Sequence, residues 1–315
     1  MPDEFDLKLS IIEQYYQRVF KHLDPNRLQH HREDWPVDET NQQIDPGDES
    51  DSTFLDYYSV EGLRLALEEY GFLAELRAKG ISNPRLSLHR HKEGYDIFRI
   101  HRASSPHLIV ELVAQQGPLS IEAGKFIDGG DRRFLNVRWL RMQNPLSKPS
   151  PKRPLLPGQD FPGLGLGREM MVLLQLICAR LNLDGVIELP ERIHNAAMYF
   201  KRFCFVDPEM QGILTAILRD TRDRKLADLS WGIELGLLID QATSKPYRWI
   251  AKEQVLPRIG PICEYFNSSE YKEKARAAME QNHFQLKTGD FANGQAIVAG
   301  QKTEDADNPF PSRIK

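Results

Sequence analysis

The sequence predicts a mixed α/β (α+β) protein: a mostly antiparallel central sheet flanked by helices, with further helices at both ends. Three observations carry that expectation. Runs with strand character fall between residues 86 and 142, and one of them, LIVELVA at 108–114, is apolar almost throughout, as a strand covered on both faces would be. Between 163 and 206 the chain passes from a glycine-rich turn to an apolar helix, a short strand, a second helix and another short strand. Residues 5–23 repeat apolar side chains at helical spacing, from Phe5, Leu9 and Ile12 through Tyr16, Val19, Phe20 and Leu23.

Taken in order, residues 1–25 read as an N-terminal helix and 26–58 as an acidic linker. From Glu33 to Asp51 there are eight acids and no Lys or Arg, with Pro36, Pro46 and Gly47 breaking any regular element. A second helix is predicted at 59–79, with Leu63, Leu67, Tyr70, Leu73 and Leu76 inward and Gly80 as its stop. Strands follow around Leu86–Leu88, Ile97–Ile100, 108–114 and Phe134–Met142, with a turn at Lys92–Gly94. A Pro- and Lys-containing loop at 144–162 leads into the glycine stretch and its helix, whose inner face is Met170, Leu173, Leu174, Ile177 and Leu181. Val186–Leu189 is a short strand, and a helix at 191–202 leads to Phe203–Val206. Asp207-Pro208 starts a further helix, Asp as N-cap and Pro in the first turn. Residues 207–286 read as a mainly helical extension, and the Gly- and Asp-rich tail 287–315 as disordered.

Bulk properties exclude several classes. A net charge of −4 gives no overall attraction to nucleic acid, and no apolar run is long enough to span a membrane. The start MPDEFDLKLS lacks the pattern of a secretory signal, so the cytoplasm is the expected location. Cys178, Cys204 and Cys263 form no CxxC pair. His89 and His91 share a strand face, but His101 falls too far along the neighbouring strand to complete a metal set, so no metal is expected.

The stretch PGLGLGREMM carries the chemistry. The first N–H groups of a helix lack partners, its dipole makes that end positive, and glycines let a phosphate approach the backbone. No Lys-Ser/Thr follows the glycines, and Gly163-x-Gly165-x-Gly167 does not give GxGxxG, so neither the P-loop nor the dinucleotide fingerprint is present. Seven basic residues between Arg132 and Arg153, with no acid among them, could form a positive rim for phosphates or a surface for an acidic partner.

The glycine stretch resembles the pyrophosphate loop of the GNAT N-acetyltransferases, whose pattern is Gln/Arg-x-x-Gly-x-Gly/Ala at the start of the central helix. Pro162, Gly163, Leu164, Gly165, Leu166, Gly167 and Arg168 are the matching residues, Pro162 standing for the Gln or Arg. HNAAMYFKRFCF is similar to the helix that follows in that family, with Asn195 near the family's Asn. Phe200 falls where the family often has a Tyr that protonates the leaving thiolate, Tyr199 lies one residue earlier, and Cys204 replaces a Gly. The resemblance covers residues 59–206, and the strand that usually ends the family's fold is not placed by the sequence.

The resemblance implies a GNAT-like fold and transfer of an acetyl or other acyl group from acetyl-CoA (acyl-CoA) to an amine, whose identity stays open. It implies amides at Gly163–Arg168 for the pyrophosphate, Asn195 for the pantetheine arm, an oxyanion-binding N–H near Arg141 or Met142, and Tyr199 as the acid. A carboxylate base would come from Glu111, Glu122 or Glu188, placed by position only. The rival reading is a non-catalytic module of the same fold that binds acyl-CoA or a protein partner, or pairs with a second copy through its C-terminal helices.

Overall fold

The computed structural model describes residues 4–29, 53–103, 107–120, 122–127, 132–258 and 260–287. The acidic run Glu33–Asp51 and the tail from 288 lie outside the described residues. The fold is mixed α+β, as the sequence predicts, and its order of elements follows from where apolar faces can be covered.

Helix α1 (Glu4–His22) and the short α2 (Pro25–Gln29) precede α3 (Val60–Glu69) and α4 (Phe72–Ala78). The expected single helix at 59–79 is broken at Gly71, whose φ of 77° ends the first segment. Both halves keep their apolar side inward, and Leu63, Leu67, Tyr70, Leu73 and Leu76 are all buried. Ser59 caps α3 by accepting from the Gly62 amide at 2.9 Å. Gly62 lies so close to the Leu28 carbonyl that a Cβ has no room. Both ends of the predicted linker are therefore part of the core: Leu28, Phe54, Leu55 and Tyr58 are buried.

Strands β1 (Pro84–Arg90), β2 (Asp96–Arg102), β3 (Leu108–Gly117) and β4 (Phe134–Met142) form an antiparallel meander. Helix α5 (Gly167–Arg180) then carries the chain back to β5 (Gly185–Glu188), which runs parallel to β4. Next come α6 (Ile193–Met198), β6 (Cys204–Phe205), α7 (Pro208–Asp220) and α8 (Leu226–Glu234). The region predicted as mainly helical also holds strands. β7 (Leu238–Asp240), β8 (Lys245–Pro246) and β10 (Phe284–Leu286) make a small sheet, and β9 (Gln254–Pro257) enters the large one. The large sheet runs β1-β2-β3-β4-β5-β9-β6, so β9 separates β5 from β6 and pairs antiparallel with both. Helices α9 (Pro261–Asn267) and α10 (Ser269–Gln281) follow. Gly212 lets the α10 backbone at Ala275 press on α7 with no Cβ between them.

The main core lies between one sheet face and α1, α3, α4 and α5. Helix α5 buries Met170, Met171, Val172, Leu173, Leu174, Leu176 and Cys178, nearly all round, because the sheet covers one side and α1 the other. Helix α1 is thus part of the body: the Arg180 guanidinium lies 4.1 Å from the centre of the Phe20 ring, and Arg202 pairs with Glu13. A second cluster joins α6, α7, α8 and β10, and a third packs α9 against the other face of the sheet.

Candidate functional site

Strands β4 and β5 pair over only Leu135–Val137 and Val186–Glu188. At that point β4 carries a bulge: Val113 faces Trp139 and Ala114 faces Val137, leaving Arg138 as the extra residue. β4 continues to Met142 while β5 stops at Glu188, so beyond Val137 the two strands part. The glycine stretch closes one side of this gap. The Leu164 amide donates to the Met142 carbonyl at 3.2 Å, and the Asn144 amide to the Pro162 carbonyl at 2.8 Å. The Gln143 amide donates to Ile109 on β3 at 3.0 Å, so Met142, one residue back, turns its N–H and C=O away from β3 toward the glycine stretch.

Leu164 and Leu166 bury their side chains in the main core, which holds the loop backbone outward between them. Gly165 adopts a φ of 72°, the left-handed region that favours glycine. Leu166 is the N-cap of α5 and offers no side-chain cap. Among the described residues, the amides of Gly165, Leu166 and Gly167 donate to no acceptor. Three consecutive amides at the positive end of a 14-residue helix form an anion cradle. The Leu164 amide does not belong to it, being taken by Met142.

The loop 144–162 is braced over this cradle. Trp231 Nε1 donates to the Leu155 carbonyl at 2.8 Å, Arg192 Nη1 to Pro157 at 3.0 Å, and the Phe161 amide to Gln143 Oε1 at 3.0 Å. A tight turn pairs Ser150 with Arg153 and places the Arg153 guanidinium 3.8 Å from where a Cβ on Gly165 would stand. The other members of the basic run disperse: Arg138 lies over Tyr95, Arg141 over Trp139, and Arg133 donates to Gln116.

Helix α6 ends at Met198, earlier than the predicted 202, and this decides which aromatic faces the loop. Tyr199 becomes the C-cap and packs on the main core, while Phe200 turns into the second cluster. The Tyr199 hydroxyl sits against Gly167, in the space a Cβ there would fill. Burial first, then the nearby Glu188 and Glu169, hold this phenol above its ordinary range, so it stays protonated. Asn195 is exposed on α6.

Glu188, the last residue of β5, lies at the point where the strands part. Burial raises its carboxyl from 4.5 to about 8, and its Oε1 has no hydrogen-bond partner. Opposite it on β9 is Gln254, fully buried, with both side-chain amide atoms unpartnered. Glu169 Oε2 is a further buried atom without a partner, in the first turn of α5. Glu111 does not join this group. It ion-pairs with Arg99 at 2.8 Å, and alternation along β3 puts it on the face opposite Leu112 and α5. Glu122 is far more exposed, beside Lys125.

The structure thus brings Met142, the Gly163–Arg168 stretch, Tyr199 and Glu188 together, and leaves Glu111 and Asn195 outside the group. Gln254 and Glu169 were not among the residues the sequence pointed to; Glu169 adjoins the glycine motif, whereas Gln254 enters only through the position of β9. Among the described residues no group of His, Cys, Asp and Glu could hold a metal ion, and no helix is long and apolar enough to cross a membrane. No family model and no curated protein matches this chain.

Proposed function

We propose that this protein is an N-acyltransferase of GNAT type that moves an acetyl or other acyl group from acyl-CoA to an amine by direct attack. One observation carries the reading: the unpartnered amides of Gly165, Leu166 and Gly167 stand beside a parallel strand pair that separates at Val137 and Glu188. A chain carrying phosphates at one end and a thioester at the other fits such an arrangement, its anion on the amides and its arm between the strands. The final strand β9, which the resemblance leads one to look for, supports the same reading.

The residues present divide the work as follows. The three amides, with Arg153 above them, hold the pyrophosphate. The N–H of Met142 faces the thioester oxygen and stabilises the charge that develops there. An acceptor arriving as an ammonium ion gives one proton to Glu188 and becomes a neutral amine; an ordinary Glu would be too weak a base, and the raised Glu188 is matched to the task. The nitrogen attacks the thioester carbon, the C–N bond forms and the C–S bond breaks. The sulfur takes the Tyr199 proton, the proton shed by the nitrogen restores Tyr199, and Glu188 releases its proton to solvent. Positioning and electrostatics supply the rate.

Calorimetric titration with acetyl-CoA tests the reading. Micromolar binding is expected, abolished by Gly165→Asp, which sets a carboxylate and a strained φ in the cradle. Absence of binding to acetyl-CoA and to longer acyl-CoAs would overturn it. Binding without transfer to any amine, and unchanged by Tyr199→Phe, would leave a module that holds acyl-CoA for a partner.

A further inference from the structure

One cavity in the main core belongs neither to the glycine stretch nor to the strand gap. Its volume is about 60 Å³, and it lies among α1, α2, α3, α5 and the strands β2 and β3. Its wall is almost all carbon, and the lining side chains that carry a polar atom are Tyr58, Tyr70 and Arg180. Of the lining residues only Phe20, Ile177 and Arg180 are not buried, which places the mouth between the end of α1 and the last turn of α5. The Arg180 guanidinium lies 4.1 Å from the centre of the Phe20 ring, and its Nη2 donates to the Phe20 carbonyl at 3.2 Å. It pairs with no acid among the described residues. Tyr58 and Tyr70 are buried, and their hydroxyls make no hydrogen bond among the described residues. Burial raises both phenols, Tyr70 to about 12, and the Arg180 charge acts on each against that rise. One unneutralised cation and two protonated donors thus stand together beside an apolar void.

We infer that this cavity binds a short aliphatic monocarboxylate, with its carboxylate on Arg180, Tyr58 and Tyr70 and its carbon chain in the void. A guanidinium offers two parallel N–H donors that match a carboxylate, and the two phenols can donate to the remaining lone pairs. One positive charge balances one negative charge. A phosphate group, at about −1.5 to −2, would bring uncompensated charge to an apolar wall. The length of the chain follows from the volume. An apolar cavity of ~150 Å³ takes a benzene ring, so about 60 Å³ is room for roughly two to four carbons. Gly167 and Arg180 are the two ends of the 14-residue α5, about 20 Å apart, so the mouth of this cavity is remote from the cradle. The site stands whether or not the chain transfers acyl groups. An occupant joins Tyr58 and Tyr70, which flank α3, to Arg180 on α5, and stabilises the folded chain by mass action.

The test is NMR of the full chain carrying ¹³C-methyl methionine, titrated with sodium butyrate against sodium chloride as the salt control. Met170 lines the cavity and reports on it, its signal assigned with Met170→Leu. Saturable shifts of the Met170 methyl are expected, with a Kd on the order of 1 mM. Affinity should rise about fourfold per carbon from acetate through propionate to butyrate, then fall at octanoate, which outgrows the void. Butan-1-ol has the chain without the charge and should bind at least about tenfold more weakly. Arg180→Met should weaken butyrate by a similar factor. Ala66→Met, which fills the cavity and keeps the guanidinium, should abolish binding. A Met170 methyl unmoved by butyrate would overturn the inference. So would equal binding of butan-1-ol, which leaves a void with no head group, and so would butyrate binding that survives Ala66→Met, which leaves only a surface ion pair. Should Arg180→Met not fold, the comparison with butan-1-ol on the parent protein still decides the role of the charge. Acetyl-CoA binding is measured separately, so either reading can fail without the other.

Discussion

The hydroxyl of Tyr199 fills the space beside the Gly167 Cα in which any other residue would place its Cβ. The acid of the proposed reaction is thus positioned by the absence of a side chain in the cradle. Gly167→Ala must push the ring aside. Its rate of acyl transfer should fall about as far as that of Tyr199→Phe, on the order of 10²-fold. The double variant should lose little more, since both changes remove one interaction. Fully additive losses in steady-state assays would show that the two residues act separately.

Glu188 gives the protein a measurable pH signature. Its folded carboxyl titrates near 8 against an ordinary 4.5, so the folded state holds the proton more tightly. The resulting stability is complete below about 4.5 and is lost as pH rises to about 8, at up to about 1.4 kcal/mol per pH unit. Glu188→Gln should therefore gain on the parent protein across that window and stop gaining above it. Urea unfolding at several pH values measures the gap, and a constant gap would mean that Glu188 ionises normally.

His194 works in the opposite direction. It is buried between α6 and α8, its Nδ1 lies 2.7 Å from Ser230 Oγ, and burial, then Arg192, lowers its imidazole from 6.5 to about 4. The contribution is present above 6.5 and lost as pH falls through 4, because the unfolded chain takes up the proton first. His194→Gln, which cannot charge, should flatten the acid limb of the thermal midpoint between those values. A limb of unchanged slope would assign acid sensitivity to other groups.

Arg153 reaches the cradle from a braced loop and pairs with no acid among the described residues. Arg153→Ala should weaken acetyl-CoA binding by about fivefold, an exposed charge-assisted bond being worth about 1 kcal/mol. It should also reduce the dependence of affinity on salt. Equal titration curves at low salt for the two proteins would exclude Arg153 from phosphate recognition.

Local patterns were legible in the sequence wherever the period of the apolar residues was set by the layer above them. The meander β1–β4, helix α5 and the inward face of α3 and α4 all follow from that, and Arg85 facing His101 places the histidines as the turn at 92–94 implied. The break at Gly71 was less legible, because the apolar stripe continues through it. Strand β9 was invisible: QVLP is too short to show alternation, and it is a strand only because β5 and β6 leave a slot for it. Of the site, the cradle could be read from its glycines, but not which carboxylate stands beside it. Glu111 and Glu188 both lie on central strands, and their difference arises from a partner: Arg99 neutralises the first, while the second has only Gln254 opposite.

The slot that β9 fills also sets the order in which this protein can mature. During synthesis every strand of the large sheet but one is made by residue 205, yet β5 keeps an open edge until residues 254–257 arrive. The sheet cannot close on local contacts, and long-range pairing of this kind is slow to form. A chain released at 206 would expose that edge to other chains, a hazard for aggregation, and would lack the neighbour of Glu188. Residues 59–206 therefore supply every strand of the large sheet except β9. Lesions in α9 or α10, remote from the glycine stretch, should be felt at the gap between β4 and β5 through the strand that joins them to it.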